Sequence, residues 1–265
     1  MKKFVFLLIL SSWPFYSSGS ELQALEVARA LFEKRCAVAG ERIHKTVKDV
    51  DGVLLLKLRP ETINYSNQFS LDDPYGRDFS GPDYIVSFLK AHHELPVVMA
   101  RLGGYAHTPR KQIGYAYVAA INPADGIRHR YTAVVEQPGK TDARYIVDYA
   151  RVSMTSVPSS DPPPRYGVTF EDISTVEDRK YWIAGSSLKV LDLLSNEVIA
   201  ERVGYMMDLA QGKTGGGRSP WLIAAHHACP AFDGANPKVP QGGQTDIFVE
   251  KVLLPRAESG ATLVE

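Results

Sequence analysis

Tyr181-Trp182-Ile183-Ala184-Gly185-Ser186-Ser187, followed by Leu188 to Leu194, Ser195-Asn196 and Glu197 to Met207, is the stretch that decides the fold. Both arms carry the β-branched and large apolar residues that suit strands. Asn196 tolerates the left-handed backbone that a tight reversal needs, so the stretch reads as a long antiparallel hairpin. A glycine loop, Gln211-Gly212-Lys213-Thr214-Gly215-Gly216-Gly217, comes next, and Ser219-Pro220 reads as the N-cap and first turn of a short helix over 221–228. Cys229-Pro230 ends it.

Working outward, Ile113 to Ile121 and Ile127 to Val135 alternate around the turn Asn122-Pro123-Ala124-Asp125-Gly126, and Arg144 to Met154 follows. Three such strands in succession predict a meander. Tyr166 to Asp172 begins the second meander, which the opening hairpin completes. Asp51-Gly52 between 46–50 and 53–58 reads as a two-residue hairpin turn. Residues 245–254 read as a last strand, and Tyr84 to Leu89 fits either a strand or the start of a helix. Near the N-terminus, Leu25, Ala28, Phe32, Cys36, Ala39 and Ile43 recur at helical spacing, predicting a helix that stops at Gly40. The expected class is α+β: a predominantly antiparallel sheet of meander hairpins, with an N-terminal helix and a short late helix packed on it.

The first twenty residues resemble a secretory leader. Lys2 and Lys3 precede the apolar run Phe4 to Leu10, and small residues from Ser17 to Ser20 offer a cleavage site. The alternative, a membrane anchor, needs roughly 18 apolar residues, and Pro14 closes the run well before that. No later segment reads as membrane-spanning. The expected product is exported, periplasmic or secreted, with residues 21–265 forming one α+β domain. The proline-rich segment Val157 to Pro164 is a possible sub-boundary.

The chain has 30 basic and 30 acidic residues; loss of Lys2 and Lys3 leaves 28 against 30. Without a basic excess, the counterion release that drives nucleic-acid binding is missing, so nucleic acid is not an expected partner. Cys36 and Cys229 are the two cysteines. In an oxidising compartment an even count predicts a disulfide, the alternative being two buried thiols.

Candidate chemistry is sparse. Gln211-Gly212-Lys213-Thr214 imitates a phosphate loop, but that motif needs glycine where Met207 stands. A weaker reading has Lys213, Arg218 and Ser219 holding a small anion at the start of the late helix. His92-His93 and His226-His227 resemble fragments of a metal or acid–base site, yet adjacent residues on a helix point about 100° apart. No metal is assigned and no cofactor is expected. Gly-x-Ser-x-Gly is absent, and Gly185-Ser186-Ser187 lies between strand-like runs rather than at a nucleophile elbow.

Residues 61–83 form a polar loop that also carries Tyr65, Phe69, Tyr75 and Phe79, either pinned to the core or serving as a binding lid. The leading expectation is an exported, disulfide-stabilised, non-catalytic binding protein of the cell envelope. It would contact an unknown protein or envelope ligand through 61–83 and 211–218. The alternative is a secreted or periplasmic hydrolase acting on an envelope polymer or glycan, with acids from Asp72, Asp73 and Asp78 and one of the four histidines above.

Overall fold

The hairpin forms as read, with β10 at Ile183–Asp192 and β11 at Glu197–Met207, and Asn196 supplies a φ of 58° in the turn. The computed structural model describes residues 17–70, 73, 75–76, 78–89, 91–93, 110–112, 114–136, 138–144, 151–232 and 241–256. Before the hairpin come α1 (Ser17–Cys36), β1 (Gly40–Ile43), β2 (Val47–Val50), β3 (Gly52–Leu55) and α2 (Pro82–Phe88). These are followed by β4 (Ala91–His93), β5 (Arg110–Gln112), β6 (Tyr117–Ile121), β7 (Arg128–Glu136), β8 (Arg151–Pro158), β9 (Tyr166–Asp172) and α3 (Val176–Lys180). After the hairpin lie α4 (Pro220–Ala224), β12 (Ala228–Cys229), α5 (Gln244–Val252) and β13 (Leu253–Pro255).

Among the described residues, nine strands form one mostly antiparallel sheet in the order β1-β11-β10-β9-β3-β6-β7-β8, with β12 also paired to β11. Among the described residues the two meanders, β6-β7-β8 and β9-β10-β11, are joined only through β3, which runs parallel to both β6 and β9. Alternation places Leu188 and Val190 on one face and Ile183, Val203 and Tyr205 on the other. The first face is covered by Tyr84, Ile85 and Phe88 of α2 and by Phe248, Val249 and Val252 of α5. Ala28 of α1, with Leu31 and Phe32, packs on the second.

Four local readings are corrected. Asp51-Gly52 is not a hairpin turn: β2 leaves to pair β13, while β3 enters the large sheet. Gly52 is needed for close approach, because a Cβ there would lie 2.5 Å from the Tyr117 ring. The expected last strand is instead helix α5 followed by the short β13. Helix α1 stops at Cys36, and Gly40 opens β1 with φ 140° rather than capping the helix. The late helix is only Pro220–Ala224, because Ala228 and Cys229 pair with Met206 and Tyr205. Segment 84–89, left open above, is helical through Phe88.

Helix α5 buries acids. Asp78 reaches its N-terminus and accepts the backbone N–H groups of Gly243 and Thr245 at 2.7 and 2.8 Å. Burial, with Asp78 and Glu250 nearby, pushes the Asp246 carboxyl up to about 8, and burial pushes Glu250 up to about 7. A folded-state value above the unfolded one means that the native state binds more protons between these limits. Stability from these groups is therefore full below about pH 4 and lost as pH rises through about 8. Asp246→Asn should remove about 2 kcal/mol or more of that fall, after discounting for partial exposure. Urea denaturation of both chains at pH 5 and pH 8.5 tests this; equal pH dependence in the two would refute it.

Candidate functional site

The two loops singled out in the sequence meet at Trp221, the second residue of α4. Its backbone N–H donates to Tyr65 O and its indole Nε1 donates to Asn67 O, both at 3.1 Å. Loop 64–69 is shaped by Asn64, whose Oδ1 accepts the Ser66 and Asn67 N–H groups. Gln68 Nε2 ties the loop to the end of α3, donating to Arg179 O at 2.7 Å and Lys180 O at 3.0 Å. On the far side, the Trp182 ring lies 5.0 Å from that of Trp221. The glycine loop lies on Trp182: a Cβ at Gly212 would come 2.2 Å from the indole.

Asp208, fully buried, organises the glycine loop. It accepts the N–H of Ala210 at 3.1 Å and of Gly212 at 2.8 Å, and both terminal nitrogens of Arg218. Gln211 Nε2 donates to Tyr181 O and Asp208 O. Trp182 and Gln211 both have positive φ, 54° and 49°, a conformation that costs a bulky side chain on the order of 1 kcal/mol or more. Around this junction Tyr65, Phe69 and Ile223 remain exposed, Phe69 by 59 %. The rim is thus apolar at its surface and held rigid underneath.

Cys36 and Cys229 are joined as a disulfide, with Cα atoms 5.5 Å apart, linking the end of α1 to β12. Of Lys213, Arg218 and Ser219, read above as a possible anion site, the structure brings Arg218 onto the Lys213 carbonyl. Arg218 is spent on Asp208 and on the carbonyl of Lys213, and Ser219 occupies the N-cap position of α4 without a side-chain capping bond. His226 and His227 lie beyond the helix, both exposed, in a turn closed by N–H bonds to Ile223 O and Ala224 O. His92 and His93 are in β4, opposite Lys111 and Arg110; their side chains lie outside the described residues. Among the described residues no three metal-ligating side chains converge.

The acids of loop 61–83 have structural partners. Asp72 lies outside the described residues. Asp73 is buried against Arg59 at 2.9 Å and accepts Ser186 Oγ at 2.8 Å, while Asp78 serves α5. Ser187 Oγ is likewise taken, donating to Glu201. Beside Asp73, a small recess of about 10 Å³, open to solvent, is bounded by Arg59, Tyr75, Arg202 and Phe232. Tyr75 is buried and Phe69 is not, so segment 61–83 is both pinned and presented.

Sequence reasoning missed Asp208, whose position directly after β11 was its only signal. It also missed a polar chain in the first meander, Asp125–His129–Ser156. Asp125 and His129 stand four apart across the Gly126 turn, which could have been noticed. Ser156 could not, because the sequence reads the third strand over 144–154, two residues short of it. Among the described residues no helix is long and apolar enough to cross a membrane. No family model, curated protein or solved structure matches this chain.

Proposed function

We propose that the chain is an exported binding protein of the cell envelope, contacting its ligand through the rim that Tyr65, Phe69 and Ile223 present. The observation that carries this reading is the pair of left-handed non-glycine residues, Trp182 and Gln211, where the two loops cross. Strained backbone of this kind persists only where surrounding contacts over-determine it, and it clusters at functional sites. A rigid base under exposed aromatic groups also suits recognition, since little side-chain freedom remains to be lost on binding. The rim's role is non-catalytic, because the charged groups beneath it are already paired. Export is supported by the leader-like Lys2 to Ser20 and by a disulfide of a kind that persists in oxidising compartments.

The test is a pull-down from the envelope fraction with the purified chain and with Tyr65→Ala/Phe69→Ala. Both sites are exposed, so the double variant should keep its stability to within about 0.5 kcal/mol per site. It should nevertheless lose a partner that the unaltered chain retains. Equal recovery by both chains would remove the rim from consideration. An unprocessed N-terminus on protein recovered from the producing cell would remove export.

A further inference from the structure

A second arrangement sits at the opposite end of the sheet, independent of the rim. His129 of β7 is buried, 6 % exposed, on the core-facing side of the first meander. Its Nε2 lies 2.8 Å from Asp125 Oδ2 and its Nδ1 lies 2.6 Å from Ser156 Oγ. The carboxylate can only accept, so Nε2 carries the proton and Nδ1 is left bare as the acceptor of the Ser156 hydroxyl. The Asn122 side-chain nitrogen, 3.4 Å from Nδ1, fits the same tautomer. Asp125 is fixed from its other side, Oδ1 accepting the Ile127 N–H at 2.9 Å. That bond and His129 hold its carboxyl below the usual range, so it is charged at neutral pH.

We propose that Ser156, His129 and Asp125 form an acyl-transfer site, with Ser156 as nucleophile, His129 as general base and Asp125 as the group that fixes the imidazole, acting on O-acyl esters. Nucleophile, base and orienting acid in one hydrogen-bonded chain is the relationship this chemistry requires, whatever the order of the residues.

Two features of β8 support it. Ser156 is exposed, although the base it touches is not. Among the described residues β8 is also an edge strand, paired to β7 alone. The Ser159 N–H bonds Arg128 O, so ladder alternation makes Tyr131 and Ser156 a non-hydrogen-bonded pair. The Ser156 N–H therefore points off the open edge, beside its own hydroxyl, where it can donate to an oxyanion.

In the first step the Ser156 proton passes to His129 Nδ1 while Oγ bonds to the acyl carbon. The carbonyl electrons move onto oxygen, facing the Ser156 N–H. Collapse re-forms the carbonyl and breaks the bond to the leaving alcohol, which takes the proton from Nδ1. Water then attacks the acyl-serine in the same way: its proton goes to Nδ1 and on to Ser156 Oγ as the acid departs. The net change is ester plus water to acid plus alcohol.

The purified chain should be labelled at one equivalent by a fluorophosphonate, with the adduct on the peptide that contains Ser156. It should also hydrolyse p-nitrophenyl acetate. Ser156→Ala should abolish the adduct. Asp125→Asn, at an exposed turn and so expected to fold, should slow labelling on the order of 100-fold. Folded protein without an adduct on Ser156, or labelling at the same rate in D125N or in heat-unfolded chain, would overturn the assignment. A chain that fails in the rim test but is labelled here keeps this site, because the two experiments read different residues.

Discussion

Replacing both Cys36 and Cys229 by serine should cost about 3–5 kcal/mol of folding stability. The bridge closes a separation of 193 residues, so the unfolded chain that it restrains gains much freedom once it is cut. What remains to hold α1 is modest. Ala28, Leu31 and Phe32 pack on Ile183, Val203 and Met207, and Arg35 reaches Asp178 at 2.8 Å. Urea denaturation should show the same loss in the double variant and in the unaltered chain under reductant. A loss below about 1 kcal/mol would show that the sheet holds its helix without help. A chain made and kept in a reducing environment would carry the same deficit.

Asp208→Ala should destabilise the chain by about 3–5 kcal/mol, the range for removing one partner of a buried ion pair. The Asp208 side chain is fully buried, and its loss strands the Ala210 and Gly212 N–H groups as well as the Arg218 guanidinium, itself only 20 % exposed. The loss should be local in its first effect. Amide exchange should rise through 210–217 before it rises in β10 or β11, because the loop has few apolar anchors besides Trp182. Asp208→Asn keeps an acceptor for one backbone N–H and should fall between the two. A D208A chain within 1 kcal/mol of the original, with unaltered exchange in the loop, would remove Asp208 as the organiser of the rim.

Where the sequence was informative, it was so through local chemistry. Ser195-Asn196 between two apolar arms specified the β10–β11 hairpin because the left-handed turn residue and the strand pattern agree. The same held for the turn at Asn122 to Gly126. Asp51-Gly52 carries as strong a turn signal, yet the residues on its two sides pair elsewhere. Tyr117 lying over Gly52 is a long-range reason for a glycine that no local rule can see. Residues 245–254 misled differently. Phe248, Val249 and Val252 suit a buried strand or a buried helix face, and only the sheet below α5 decides between them. The cysteines were legible because both lie on faces with apolar neighbours. The roles of Asp73, Asp78 and Asp208 were not, since an acid in a polar loop looks the same whether it faces solvent or closes a buried network.

The placement of β3 has a consequence for how the chain matures. This short early strand is the seam between two ladders that are made much later, contacting Tyr117 to Ala120 on one side and Gly167-Val168 on the other. Until the ribosome has passed residue 168 the seam has no second wall, and the clamp at Cys229 comes later still. Such non-local pairing is slow, because long loops must close before any contact rewards them. An emerging polypeptide of this design can neither join its two ladders nor close its covalent clamp until well over half of it exists.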